Sequence, residues 1–424
     1  MAVRSRPRPP ANLILISIDT LRADRVGCYG YSRDTSPFLD SLAKRGAVFE
    51  NFVAECSWTL PSHVTMFSGI HPATHGVNQP RSKIRRDTRL LAEVLQAAGY
   101  RTIGLAAGGF LLKPHGFGRG FETYLSRRKS LAEILDDARA RLDGLERGDR
   151  YFLFLHTYDV HCPYAPSEEY SREFVTEDAE FVETKDRCWD ADTSLDAMSL
   201  TEGQVRYLSD RYDASIREAD QVLGEFLAFL ESRGDLRRTL IVVTSDHGEE
   251  FREHGSIGHK GTLYREALMV PLVMAGPKIR PMRVDAPVGL VDLMPTVLDL
   301  LGIPIPEGVE GASLLPLLEG KVGAIDGGEA RVSEIEWPFP LKSVMTRERH
   351  LIADPTSGTR QLYAVGEDPS ETIDLAASRL SEADELFAVL DEHASRSRPT
   401  VAEDAPVPLT AEQVEELRQL GYVR

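Results

Sequence analysis

The stretch 12–19, NLILISID, is an apolar run of strand length that stops on a carboxylate. A short run that is apolar at consecutive positions is the pattern of a strand buried on both faces of a parallel sheet. Two later stretches repeat it. YFLFLHTYDVH (151–161) runs out through His156, Asp159 and His161, and LIVVTSDH (240–247) ends on Asp246 and His247. Ligands of open α/β sheets bind beyond the carboxyl ends of the strands, so the three run-offs predict one shared site. Helical patterns separate the strands. Phe38, Leu39, Leu42 and Ala43 form one, 90–98 and 130–145 two more, and Val205, Leu208, Tyr212, Ile216, Ala219, Leu223, Phe226 and Leu230 a long apolar stripe. VPLVMAG (270–276) is read as a further strand. The alternation predicts a three-layer α/β domain with a mainly parallel sheet.

Outward from that core the rhythm changes at GKVGAIDGGEA (320–330), a Gly-rich linker candidate. The expected division is a catalytic α/β domain over 1–322 and a small α+β subdomain over 323–424 with two late helices near 381–395 and 410–420. The acidic, poorly periodic stretch 165–200 is expected to be an insertion or a lid. The 424 residues are 42% hydrophobic and 27% charged, a globular composition. The net charge of −17 repels phosphate backbones and anionic membranes, which argues against nucleic-acid partners. An anionic substrate is compatible with it where metal ions reverse the sign locally. The four cysteines form no CxxC pair and read as thiols. The run at 13–18 is too short for a signal sequence, and none approaches the ~20 apolar residues of a membrane span. A cytoplasmic location is expected; the oligomeric state is open.

Carboxylates and imidazoles converging at one sheet edge are ligands that Zn²⁺ or Mn²⁺ would use. In SWTLPSH (57–63), Thr59 stands two residues before Pro61 at a helix start, where free N–H groups favour an ionised oxygen. A hydroxyl on a divalent metal loses its proton near neutral pH, as water does. Thr59 is therefore a nucleophile or a plain helix cap. In FREHGSIGHKGTLYREALMVPL (251–272), His254 and His259 flank glycines and Lys260 follows, placing a ligand and a cation near an anionic ester.

These stretches, together with LPSHVTMFSGIHPATHGV (60–77), LLAEVLQAAGYRTIG (90–104), VDLMPTVLDLLGIP (291–304) and LYAVGEDPSETIDLA (362–376), resemble the sulfatase family of the alkaline phosphatase superfamily. The resemblance implies an alkaline-phosphatase-like three-layer α/β/α sandwich with a small C-terminal α+β subdomain. It implies metal-dependent hydrolysis of phosphoric or sulfuric esters, the substrate being a small-molecule, glycan or lipid-head-group ester. Asp19, Thr59, Asp246 and His247 match the site of one divalent ion, Zn²⁺ or Mn²⁺ with Ca²⁺ as an alternative. Thr59 matches the nucleophile, and Lys260 a lysine that contacts the transferred group. His161 matches a histidine that binds substrate or protonates the leaving oxygen, with His63 as the other candidate acid. Asp159, His161 and His259 (or His254) are candidates for a second ion, although their Asp-x-His spacing departs from the usual Asp-x-x-x-His.

Other departures bear on the substrate. Where sulfatases carry Cys or Ser in C/S-x-P-x-R, oxidised to formylglycine, this chain has Thr59-Leu60-Pro61-Ser62-His63. Oxidised threonine would be a ketone, and Cys56 lies three residues too early. Ala106, Ala107, Gly108 and Gly109 stand where the family has Lys-x-His, and Thr20 replaces a second Asp. The expected reaction is attack by metal-bound Thr59 on a phosphodiester or phosphonate monoester. The rivals are sulfuric ester hydrolysis without formylglycine, transfer of a phospho-substituent to an alcohol, and a non-catalytic binding protein on the same fold.

Overall fold

Leu13 and Leu15 face one side of the central sheet and Ile14, Ile16 and Ile18 the other, so the first strand is buried on both faces. The computed structural model describes residues 10–146, 148–182, 199–321, 330–397, 406–420 and 422. The strands of the main sheet are β1 (Asn12–Ile18), β2 (Ala47–Phe49), β3 (Arg101–Ala106), β4 (Thr123–Ser126), β5 (Tyr151–Thr157), β6 (Thr239–Thr244), β7 (Leu272–Ala275) and β8 (Met282–Val284). Their spatial order is β8-β2-β7-β6-β1-β5-β3-β4. β1 pairs in parallel with both β5 and β6. β7 runs antiparallel to both of its neighbours, so the expected mainly parallel sheet contains one reversed strand. A continuous apolar run reports burial and not direction, which is why VPLVMAG gave no sign of the reversal.

Helices cover both faces. α1 (Thr59–Ser68) and α4 (Leu293–Leu301) pack on the Leu13 side. α2 (Leu131–Asp143) and α3 (Glu202–Ser232) pack on the Ile14 side. The three-layer sandwich is thus as expected. A second sheet, β9 (Arg331–Ile335), β10 (Leu341–Met345), β11 (His350–Ala353) and β12 (Arg360–Tyr363), is wholly antiparallel. Helix α5 (Leu380–Arg396) closes it through Ala383 and Leu390 against Val344, Leu351 and Leu362. Helix α6 (Ala411–Gln419) leaves this small layer, and Leu417, Leu420 and Tyr422 join the core of the large one.

The described part of the acidic segment begins with a short helix, Glu168–Phe174. Arg33 fastens it, donating to the Phe174 carbonyl and, at 2.6 Å, to Asp210 of α3. The rest of the insertion expected there, 183–198 with Cys188, lies outside the described residues, as does 322–329 of the linker. Cys28, Cys56 and Cys162 form no disulfide among the described residues. No helix among the described residues is long and apolar enough to cross a membrane.

Glu55 is buried where the two sheets meet: its carbonyl accepts from Glu334 N at 2.9 Å and its Oε1 from Val291 N at 3.3 Å. Burial, reinforced by Asp292, pushes this carboxyl up to about 8. A folded-state pKa above the unfolded value stabilises at low pH, and that stability is lost as pH rises through the folded value. The melting temperature is therefore expected to fall between about pH 5 and pH 8. Thermal melts of Glu55→Gln across that range should show a shallower fall.

Candidate active site

Register brings the strand ends together. Ser17 of β1 lies opposite His156 of β5 and Thr244 of β6, so Asp19, His156 and Asp246 emerge at one edge. Beyond β1 the chain turns sharply at Thr20, whose φ of 61° is strained for a β-branched residue. Tyr212 of α3 holds the turn: its hydroxyl donates to Thr20 O at 2.7 Å and accepts from Arg22 N at 2.9 Å. Ser245 ties this loop to the next strand, accepting from Leu21 N at 2.9 Å and donating to His247 O at 2.7 Å. Gly248 lets the chain pass the backbone of Glu266, because a Cβ there would meet Glu266 O at 1.9 Å.

Asp19, Thr59, Asp246 and His247 converge with no solvent exposure. His247 Nδ1 lies 3.0 Å from Gly248 O, an acceptor, so Nδ1 carries a proton and Nε2 is the ring nitrogen turned into the site. Nε2 lies 3.4 Å from Asp246 Oδ2 and 3.7 Å from Asp19 Oδ1, and neither oxygen has a hydrogen-bond partner. Burial pushes the Asp19 carboxyl well up, and the Asp246 charge pushes it further. Asp246 is also opposed by burial, but His247, His63 and His156 around it hold it at about 2. Three buried acceptors aimed at one point are what a divalent cation satisfies, so the residues fit the group.

Thr59 begins α1, yet its side chain does not cap it: Trp58 occupies the cap position, and no side-chain cap bond is made. Instead Thr59 Oγ1 sits 3.3 Å from Asp19 Oδ2, 3.5 Å from His247 Nε2 and 2.9 Å from the Tyr422 hydroxyl. The structure thus removes the cap reading left open by the sequence.

The other candidates divide. His259 Nδ1 bonds Glu249 Oε1 at 2.9 Å, which turns Nε2 to Tyr422 Oη at 3.0 Å. His161 Nε2 lies 3.4 Å from the same oxygen. Lys260 Nζ is 4.6 Å from the Tyr422 ring centre. Burial drives both histidines down, His161 to about 3 with His259 adding to it, and His259 with His247 and Lys260 adding to it. His63 lies behind the metal ligands and not on this substrate side. Its Nδ1 bonds Thr59 O at 2.9 Å and its Nε2 bonds Ser17 Oγ at 3.0 Å, so both ring nitrogens are engaged and the acid role considered for it is not what the geometry offers.

Asp159 turns away from a metal role as well: its Oδ2 accepts from Leu131 N at 2.9 Å, at the start of α2. His254 is elsewhere. It stacks on Tyr264 at 3.5 Å between ring centres and approaches Glu266 at 3.4 Å, beside the Glu371–His350 pair of the small sheet. Among the described residues, the triads of possible ligands are Asp19–Asp246–His247, His63–His156–Asp246 and His254–Glu266–Glu371. The second ion expected from Asp159, His161 and His259 or His254 has no such triad. Besides His156, which the sequence offered among the strand-end candidates, two residues with no role assigned in the sequence, Glu249 and Tyr422, lie in the site. His156 donates to Asp19 Oδ2 at 3.2 Å, a pairing readable only from strand register. Glu249 lies two residues past His247, but its partner His259 is revealed only by the fold. Tyr422 gave no signal at all.

The sulfatase family profile matches residues 11–303. This chain belongs to the sulfatase family. Enzymes of this family use a divalent metal. The chain is 24% identical over 445 residues to arylsulfatase K of Xenopus laevis, covering 89% of this chain and 81% of that one. Among solved structures it shares its fold with the phosphonate monoester hydrolase of Agrobacterium radiobacter, with a TM-score of 0.74, 20% identity and coverage of 91% and 97% of the two chains. It is similarly close to a protein solved with its substrate D-glucosamine-2-N,6-O-disulfate, with a TM-score of 0.76, 21% identity and coverage of 94% and 100%.

Proposed function

We propose that this sulfatase-family chain hydrolyses a singly charged ester of phosphorus or sulfur, with Thr59 as nucleophile and a phosphonate monoester or phosphodiester as the preferred substrate. The observation that carries the reading is the Thr59 hydroxyl, freed from capping and set between the buried carboxylate edge and the His161–His259–Lys260 side. Asp19, Asp246 and His247 would hold a divalent cation, with Zn²⁺ or Mn²⁺ suited to the imidazole. When bound it supplies the positive charge that lowers the pKa of a nearby hydroxyl and offsets charge developing on the ester.

The chain's own groups do the rest. His156 braces Asp19 and His63 braces the start of α1, fixing Thr59 against the carboxylate edge. Deprotonated Thr59 Oγ1 attacks the P or S centre, the bond to the leaving oxygen breaks, and that oxygen takes a proton through His161 Nε2. An anionic ester beside His161 offsets the influence of His259 and raises the imidazole pKa from its low resting value. Water then splits the Thr59 ester. Before an ester arrives burial holds His161 and His259 neutral and Lys260 brings a cation to this side, an environment that suits one substrate charge better than two. Sulfate esters share that single charge and rank second, because threonine lacks the geminal hydroxyl of formylglycine hydrate and its ester must be opened by water at sulfur.

The test is a panel of 4-nitrophenyl esters with Mn²⁺, Zn²⁺ or Ca²⁺: sulfate, phosphate monoester, phosphodiester and phenylphosphonate monoester. The phosphonate or diester kcat/KM is expected to exceed that of the phosphate monoester at least ~10-fold, about 1.4 kcal/mol in the barrier. A sulfate rate above both would replace the phosphorus reading with formylglycine-independent sulfatase activity.

A further inference from the structure

The sequence-predicted substrate side of the site is filled by this chain's own C-terminal segment. Tyr422 Oη lies 2.9 Å from Thr59 Oγ1, 3.0 Å from His259 Nε2 and 3.4 Å from His161 Nε2. The Tyr422 ring packs edge-on against Phe110, 4.5 Å between centres, under the Lys260 ammonium. The expected nucleophile, the histidine expected at the leaving oxygen and His259, a candidate ligand of a second ion, therefore all address one phenol. A nucleophile needs the atom it attacks at about 3–3.5 Å. An ester centre at that distance and a hydroxyl 2.9 Å from the same oxygen, among the same three partners, compete for one space. Tyr422 is 2% exposed and Thr59 is fully buried, so the tail also closes the approach.

The segment packs on the rest of the chain by one face. Helix α6 spans Ala411–Gln419, and its Ala411, Glu412, Glu415 and Arg418 are exposed. Its anchors include Leu417 and Leu420, a hydrogen bond from Arg128 to Gln419 and, just upstream, the buried Val407, which donates to Arg81 O at 3.0 Å. Leu420 also forms part of the wall of a cavity of about 400 Å³ shared with Tyr158, Asp159, His161, Arg128 and Lys129. His161, the histidine assigned to the leaving oxygen, is thus shared by the cavity wall and by Tyr422.

We propose that the tail is an intramolecular pseudosubstrate: Tyr422 seats its phenol in the ester subsite, and an ester reaches Thr59 only when this residue has left. The location of that subsite rests on the function proposed above; the plug itself does not need turnover to be measured. Apparent affinity scales with the fraction of molecules whose site is open, so removing the plug tightens binding by the reciprocal of that fraction.

The experiment compares full-length wild type, Tyr422→Ala and Tyr422→Phe, each metal-loaded and matched for melting behaviour. Two quantities are read: kcat and KM on the ester panel, and the affinity for orthovanadate by calorimetry. Tyr422→Ala is expected to lower KM and tighten vanadate binding ~10-fold or more, with kcat kept. Tyr422→Phe retains the ring against Phe110 and loses the three hydroxyl contacts, so it should shift both in the same direction by less. It also serves if the alanine variant does not fold. A fall in kcat with unchanged vanadate affinity would make Tyr422 a participant in the chemistry and overturn the proposal, as would no change in either quantity. Tighter vanadate binding in variants that turn over no ester would uphold the plug and refute the proposed hydrolysis.

Discussion

Thr59→Ala protein is expected to turn over the best ester at no more than about a thousandth of the wild-type kcat, because removing a nucleophile from a working constellation costs ~10³–10⁶-fold. The residual rate would come from substrate held by Lys260 and the histidines while water attacks directly. Thr59→Ser should keep a measurable part of the activity, since it preserves the hydroxyl and loses only the methyl that helps fix its direction. Neither change should unfold the protein: the hydroxyl caps nothing in α1, so the helix loses no terminal bond. Single-turnover assays with melts as controls decide the matter. A Thr59→Ala enzyme within tenfold of wild type would show that water, not Thr59, opens the ester.

The second large effect concerns the carboxylates. Asp246→Asn and Asp19→Asn should each weaken divalent-ion binding by more than the ~10–100-fold that loss of an outer partner costs, measured by calorimetry after chelation. Their effect on stability should change sign with the metal. In chelated protein, Asp19 and Asp246 are two buried carboxylates whose facing oxygens lack partners, and burial together with the Asp246 charge already resists ionisation of Asp19. Replacing Asp19 by Asn removes that repulsion, so the melting temperature of the chelated variant should rise above that of chelated wild type. In saturating metal the order should reverse, because the variant gains less from the ion. A decrease under both conditions would mean that Asp19 serves the fold through His156, with no cation required.

These effects also indicate which parts of the site were legible in the sequence. The strands ending at Asp19 and Asp246 could be read because continuous apolar runs of strand length, separated by helical stripes, have few other uses. The Asp246–His247 adjacency came with them. The late helices at 380–396 and 411–419 were also visible from their periodicity. The reversal of β7 was not, and neither was the placement of α6 on the large core. Side-chain roles were legible only where neighbours in sequence are neighbours in space. His63, offered as the other candidate acid, follows Thr59 by one helical turn, and that turn points it at Ser17 and the Thr59 carbonyl. Asp159 and His161 are two residues apart, yet one bonds the backbone of α2 and the other faces Tyr422. Tyr422 meets Thr59 across 363 residues, and no local pattern encodes a contact of that separation.

The position of β1 at the centre of the sheet has a consequence for biosynthesis. Its hydrogen-bonding edges wait for β5 and β6, and the Asn12 side chain contacts Thr239 across 227 residues. At about 5–20 residues per second the ribosome needs roughly 10–45 s to deliver that second partner. Throughout the interval LILISI keeps at least one unpaired edge, that of an apolar β-segment of the kind that seeds intermolecular pairing. The nascent chain is thus a natural client for a holding chaperone, and slowed elongation between the two strands should raise the aggregated fraction without altering the finished protein.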